Sequence, residues 1–350
     1  MGYYTEADGL KFLLEKLWAE KKEQFPKDGY DFVEGFREIE KFLDDNYHDE
    51  VDIGAAVHGS GLVTKHGKSH VEMVIKYIYE LLQCSSKELS GYEVFIILLA
   101  TNFHDIGNIT GREEHEQKIY EIMEEIGSKI HLDNPAKRMV VSIATAHSGF
   151  IGKHNKNRDT LSSLKEHEPL NGLYIRPVLL AALLRFADEL ADDHTRASKM
   201  REENIPDKNL IYHKYSKSLS PITFGGKTIS FSYEIEHSDV TNKINKGSTE
   251  LYLYDEIIHR LKKCLCELEY CRKYADGTIN ISTFNVRITI VPDGKFNPIS
   301  ERTFSLRLSG YPNIEYMKIE NLLSPNDRHN FVSSGECLKQ DIEKLITKRC

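Results

Sequence analysis

The feature that most limits how this chain can fold is the stretch at 98–108, L-L-A-T-N-F-H-D-I-G-N. It closes an apolar run, V-F-I-I-L-L-A at 94–100, that is far shorter than the ~20 residues needed to cross a bilayer. A run of this kind is a buried helix, and it ends in adjacent His104 and Asp105. An ionised carboxylate carried into an apolar interior is costly unless something neutralises it. The fold therefore has to bring partners to this pair, and the rest of the sequence is read for where they come from.

Composition sets the frame. The chain has 350 residues, enough for one large domain or two ordinary ones, and 40% hydrophobic residues, enough for a sizeable core. A net charge of -8 argues against broad nucleic-acid binding and leaves room for a locally basic pocket that takes an anionic small molecule. The six cysteines show no disulfide framework and no repeated C-x-x-C, as expected of free thiols in a reducing cytosol. Cys264 and Cys266 lie two apart in a helical segment, which sends them to nearly opposite sides. The N-terminus has no basic region followed by an apolar one, so the expected location is cytoplasmic and no membrane partner is implied.

Periodicity gives the elements. Residues 1–50 read as helical, and 52–69 as a loop rich in Gly, Ser, Thr and His. A helix starting near His70 carries the stripe Val71, Val74, Ile75, Ile78, Leu81 and Leu82. The 92–105 segment is apolar on nearly all sides and should be the central helix, with Gly107 as its stop. T-G-R-E at 110–113 reads as a capping box opening a helix whose inner face is Ile119, Ile122, Met123 and Ile126. A further helix covers about 136–147, and 148–176 reads as a long, mildly basic loop. Pro177 opens an apolar helix over 178–190. After about 200 the pattern changes to a Gly-Gly hairpin at 222–235, a helix at 250–275, strands near 284–290 and 304–308, and a helix over the last 15 residues. The expected fold is mainly α, a helical bundle over 1–200 followed by a smaller α+β part over 201–350. Arg260 and the other cations of the 250–275 helix are expected mostly at the solvent side, and Asp192 is expected to pair with Arg196.

Placed on their own stripes, several polar residues face inward. His70 lies four residues before Val74, His115 four before Ile119, His147 continues 140, 143 and 144, and Asp188 continues Leu180, Ala181 and Leu184. A single inward histidine is ordinarily a hydrogen-bonded core residue. Five helices that each deliver an imidazole or carboxylate are better explained by a divalent metal, which neutralises the whole set. Zn, Mn, Fe, Ni, Co and Mg all suit this donor set, as one or two ions.

His70, the pair His104-Asp105, and Asp188 stand in the order H…HD…D. This resembles the HD-domain metal-dependent phosphohydrolase superfamily, over roughly 60–200. The stretches H-D-I-G-N-I-T-G-R-E-E-H (104–115) and L-L-R-F-A-D-E-L-A-D (183–192) are similar to one subgroup of it. The resemblance implies an all-helical HD domain with His70, His104, Asp105 and Asp188 as metal ligands, and with His115 and His147 available for a second ion or for contact with phosphate. It implies a phosphohydrolase acting on a nucleotide, first of all a deoxynucleoside triphosphate split to nucleoside and triphosphate. Alternatives are a phosphodiesterase for a cyclic or linear oligonucleotide, a nucleotide sensor with little catalysis, and a di-iron oxygenase. In the leading reading Asp105 holds the metal, His115 protonates the leaving oxygen and Arg112 grips phosphate. His66 orients a ligand or touches phosphate, and Lys118, Lys153 and Arg158 add positive charge around the substrate. A homo-oligomer or a partner protein bound through the C-terminal part is also implied. No P-loop and no dinucleotide-binding fingerprint is present.

Overall fold

The computed structural model describes residues 3–51, 66–110, 115–127, 129–148, 159–192, 205–246, 248–308 and 318–349. The chain divides into two units. One comprises Met1–Ser60, Lys65–Ala191 and Cys271–Ile279, and the other Gly61–Thr64, Asp192–Tyr270 and Asn280–Cys350. The fold class is mainly α, with small sheets in the C-terminal part.

The first unit contains α1 (Leu10–Glu20) and α2 (Phe32–Leu43), the latter running into a π-helical turn, Asp44–His48. Next come α3 (Lys68–Gln83), α4 (Gly91–Phe103), a 3-10 turn (Ile106–Thr110), α5 (His115–Ile126) and α6 (Asn134–Thr145). A short antiparallel hairpin of β1 (Glu168–Leu170) and β2 (Leu173–Ile175) leads into α7 (Pro177–Leu190). α4 is the central helix. All of its side chains are buried, and α1, α2, α3, α6 and α7 pack around it.

Both ends of α4 meet the problem that a helix leaves unpaired N–H groups at its start and unpaired C=O groups at its finish. At the start, Ser90 Oγ accepts from the Glu93 N–H (3.3 Å) and Glu93 Oε2 accepts from the Ser90 N–H (2.9 Å). The buried Glu93 carboxylate is then gripped by Arg176, with Nε donating to Oε1 (2.8 Å) and Nη2 to Oε2 (2.6 Å). At the finish, the Thr101 carbonyl accepts from His104 Nδ1–H (2.7 Å) and the Asn102 carbonyl accepts from His48 Nε2–H (3.0 Å). These imidazole caps end the helix at Phe103, so the stop expected at Gly107 is not the operative one. The chain instead tightens into the 3-10 turn. α5 begins at His115, and the capping box expected at 110–113 falls partly outside the described residues.

The expected loop at 148–176 has structure in its described part. Besides a 3-10 turn at Leu161–Ser163 it holds the β1–β2 hairpin. Its two-residue turn is Asn171-Gly172, with φ of 50° and 82°. Positive φ at both positions is what a type I′ turn requires and what Asn-Gly favours. Asn171 Nδ2 donates to Tyr92 OH (2.9 Å) and to Asp133 Oδ2 (2.6 Å), tying the turn to the starts of α4 and α6.

The second unit begins, within the described residues, with α8 (Asp207–Ser218), β3 (Thr223–Gly225), β4 (Thr228–Glu236), the one-turn α9 (His237–Thr241), β5 (Ile244–Lys246) and β6 (Thr249–Leu251). Then follow α10 (Leu253–Tyr274), whose residues from Cys271 on are assigned to the first unit, β7 (Thr283–Val291), β8 (Ser300–Arg307) and α11 (Gly335–Arg349). The main sheet has the order β3-β4-β7-β8, with β4 and β7 parallel and the outer pairs antiparallel. Its buried face is built in rows, Ile229 beside Phe284 and Leu306, and Phe231 beside Val286 and Phe304. Arg260 departs from the expected solvent position. Its Nε donates to the fully buried Glu256 (2.9 Å), its Nη1 bonds Asp192, and its guanidinium lies over Tyr215. Asp192 is thus paired with Arg260, and Arg196 lies outside the described residues. No helix among the described residues is long and apolar enough to cross a membrane.

Removing the Arg176 side chain leaves the Glu93 carboxylate buried without its counter-charge. Arg176→Ala should lower stability by roughly 3 kcal/mol, read as a shift in the urea midpoint, and an unchanged midpoint would show that the pair contributes little.

Candidate metal centre

His70 sits on the first turn of α3, whose stripe Val71, Val74, Ile75 and Ile78 is buried and sets the helix's rotation. His104 and Asp105 follow directly on α4. Asp188 lies on the last turn of α7, after the buried Leu180, Ala181 and Leu184. Three helices thus bring four side chains together, all within the first unit. One ligand atom from each of His70, His104, Asp105 and Asp188 lies within 4.8 Å of every other, and among the described residues this is the one such group.

The contacts are close. His70 Nε2 lies 3.0 Å from Asp188 Oδ1, 3.3 Å from His104 Nε2 and 3.5 Å from Asp105 Oδ2. His104 Nε2 lies 3.5 Å from Asp105 Oδ2 and 3.8 Å from Asp188 Oδ1. His104 Nδ1–H is committed to the Thr101 carbonyl, so Nε2 is the nitrogen turned toward the group. His70, His104 and Asp105 are buried, while Asp188 keeps 27% of its side-chain surface open.

Electrostatics shows how four polar groups tolerate this place. Burial opposes a charged imidazole, yet the facing Asp105 and Asp188 carboxylates outweigh it and raise the His104 pKa to about 9. Burial also opposes charged carboxylates. His104 and His66 overcome this at Asp105, and the facing His104 and His70 do so at Asp188, holding both well below the usual carboxylate range. A proton on His104 supplies positive charge that the carboxylates require. Two imidazoles and two carboxylates, with compensating positive charge held among them, are a donor set that fits a divalent cation.

Other expected site residues surround this group to different degrees. His66 is buried, and its Nδ1–H donates to Asp105 Oδ2 (2.8 Å). His147 Nε2 lies 3.8 Å from the other oxygen of Asp105, Oδ1, so His147 is beside the four-residue group and not within it. Lys118 is turned to Glu121 on its own helix (2.6 Å). Arg112, Lys153 and Arg158 lie outside the described residues, as does the side chain of His115, which opens α5. Two residues not assigned a role from sequence belong to the site's frame. Asn108 Nδ2 donates to Asp105 Oδ1 (2.9 Å), and His48 caps the helix that carries His104. The i, i+3 spacing of Asp105 and Asn108 is the signal that points to the first of these.

The HD-CE family profile matches residues 47–263, well over half of the chain. This chain belongs to the HD-CE family. The match spans every residue of the four-membered group and extends past the HD-like region into the second unit. No curated protein and no solved structure matches the chain. Membership of this HD-domain family, with a His/Asp group able to hold a divalent metal, supports a metal-dependent hydrolase.

Metal uptake must displace the proton held at His104, and this fixes the direction of its pH dependence. In the metal-free protein the His104 contribution to stability is complete below its ordinary value of 6.5 and is lost as pH rises through about 9, while that of the two carboxylates is lost in acid. Calorimetric titration with Mn²⁺ in buffers of different ionisation enthalpy should therefore show proton release below pH 9, fading above it. His66→Ala should weaken Mn²⁺ binding roughly 10–100-fold without loss of the helical circular dichroism signal.

Proposed function

We propose that this HD-CE protein is a metal-dependent phosphohydrolase whose substrate is a nucleotide, with a deoxynucleoside triphosphate first among the candidates. The observation that carries the hydrolase reading is the convergence of His70, His104, Asp105 and Asp188 from three helices. The nucleotide, and the split to nucleoside and triphosphate, rest on the resemblance of the H…HD…D pattern to nucleotide-acting members of the superfamily.

His70, His104, Asp105 and Asp188 would hold the cation. When bound there, it supplies Lewis acidity, neutralising phosphoryl oxygens and lowering the pKa of the attacking water. The chain's own groups provide orientation. His66 holds Asp105 through Oδ2, the Thr101 carbonyl fixes the rotation and tautomer of His104, and burial of three of the four groups excludes bulk water from their side of the site. The partial exposure of Asp188 marks the open side, where an anionic substrate would approach. His115 is assigned the proton donated to the leaving oxygen, and Arg112, Lys153 and Arg158 the contacts to phosphate.

Purified protein and Asp105→Ala, each supplied with Mn²⁺ or Mg²⁺, would be given ribonucleoside and deoxynucleoside triphosphates and cyclic dinucleotides, with products resolved by ion-exchange chromatography. Wild-type turnover of deoxynucleoside triphosphates to nucleoside and triphosphate, absent in the variant, is the expected result. Cleavage of the cyclic dinucleotides alone would replace the substrate assignment, and no turnover of any nucleotide with metal bound would overturn the reading.

A further inference from the structure

The two oxygens of Asp105 face different company. Oδ2 is turned to His66, His70 and His104, at 2.8, 3.5 and 3.5 Å. Oδ1 is turned to Asn108 Nδ2 at 2.9 Å and His147 Nε2 at 3.8 Å. His147 Nδ1–H donates to the Ala144 carbonyl, which leaves Nε2 as the ring atom on the Asp105 side. A carboxylate that looks two ways, with an imidazole nitrogen on each side, can hold a cation at each oxygen. The Asn108 amide stands on the second of these sides.

Asn108 is held there by the local backbone. Its N–H donates to the Asp105 carbonyl (2.9 Å) in the 3-10 turn, and residues three apart in such a turn eclipse one another. Chemistry fixes which way the carboxamide points, since only its N–H end can face a carboxylate oxygen at hydrogen-bond distance. The residue is 1% exposed, and its own Oδ1 is buried with no hydrogen-bond partner among the described residues. The fold thus leaves an acceptor unsatisfied while keeping a donor on Asp105.

We propose that Asn108 sets the metal count of this centre at one: Oδ2 also accepts from His66 but has His70, His104 and Asp188 gathered with it, whereas on the Oδ1 side the Asn108 amide N–H stands where a second cation would need a further donor beside His147. The inference rests on the metal-centre reading given above. An N–H group offers no lone pair to a cation, and its hydrogen bond withdraws charge from Oδ1. Turning the amide over would offer an oxygen to the second position, but would break the bond to Asp105 and bring two acceptors face to face.

The test is the Mn²⁺ stoichiometry of the full chain by equilibrium dialysis and elemental analysis, with electron paramagnetic resonance of the same samples. Wild type should hold one Mn²⁺ per chain and give the spectrum of an isolated ion. Asn108→Asp, which exchanges the N–H donor for a carboxylate oxygen, should take up a second Mn²⁺ and give an exchange-coupled spectrum. Two ions in wild type would overturn the proposal, and one ion in a folded Asn108→Asp would overturn the role given to Asn108. Should Asn108→Asp fail to fold by circular dichroism, Asn108→Ala replaces it. That variant should gain a second, weaker Mn²⁺, and a count still at one would again overturn the role. No Mn²⁺ on wild type would instead defeat the metal-centre reading on which the proposal stands.

Discussion

The charge compensation at the end of α4 is the interaction on which the rest of the first unit depends. A helix buried on every side carries His104 and Asp105 into the interior, where neither group is tolerable alone. α3 and α7 answer with His70 and Asp188, and the loop before α3 answers with His66. The rotations of those helices are set by their apolar stripes, so packing and charge balance must be satisfied by one arrangement. This agreement between levels is what gives a sequence a single fold.

The same helix shows how a buried element without solvent at its ends completes its hydrogen bonds. Its start is closed by Ser90, Glu93 and Arg176, and its finish by His104 and His48. His48 is in turn bonded through Nδ1 to Asp44 (2.7 Å), and Lys68 bonds the same carboxylate. The polar groups that end the helix are therefore also those that aim His104. Helix termination and site geometry cannot be separated here, since the Nδ1–H that caps Thr101 is what directs Nε2 at the carboxylates.

Much of this was legible because the decisive residues lie on strong stripes. His70 before Val74 and Asp188 after Leu184 follow directly from helical spacing, and the strands of the main sheet follow from Ile229, Phe231 and Tyr233 and from Phe284, Val286 and Ile288. The hairpin at Asn171-Gly172 was present as an Asn-Gly signal but was submerged in a polar segment with short, weakly alternating flanks. α8 is polar along most of its length, so no stripe announces it. Arg260 looked like a solvent cation, because only the fold shows that Glu256 on its own helix is fully buried and that Asp192 comes to meet it. Asn108 carries no apolar periodicity at all, and only its spacing from Asp105 in a tight turn marks it.

The first unit is discontinuous along the chain, and this bears on how the protein is made. Every member of the four-residue group has been synthesised by Asp188, yet the unit also includes Cys271–Ile279, with Cys271 and Ala275 fully buried and Tyr274 bonded to Asp159 (2.7 Å). At ribosomal speeds of about 5–20 residues per second, the nascent chain carries the complete ligand set for on the order of ten seconds before that segment exists. All four residues of the centre are therefore translated before the last stretch of the unit that houses them, which is encoded far downstream.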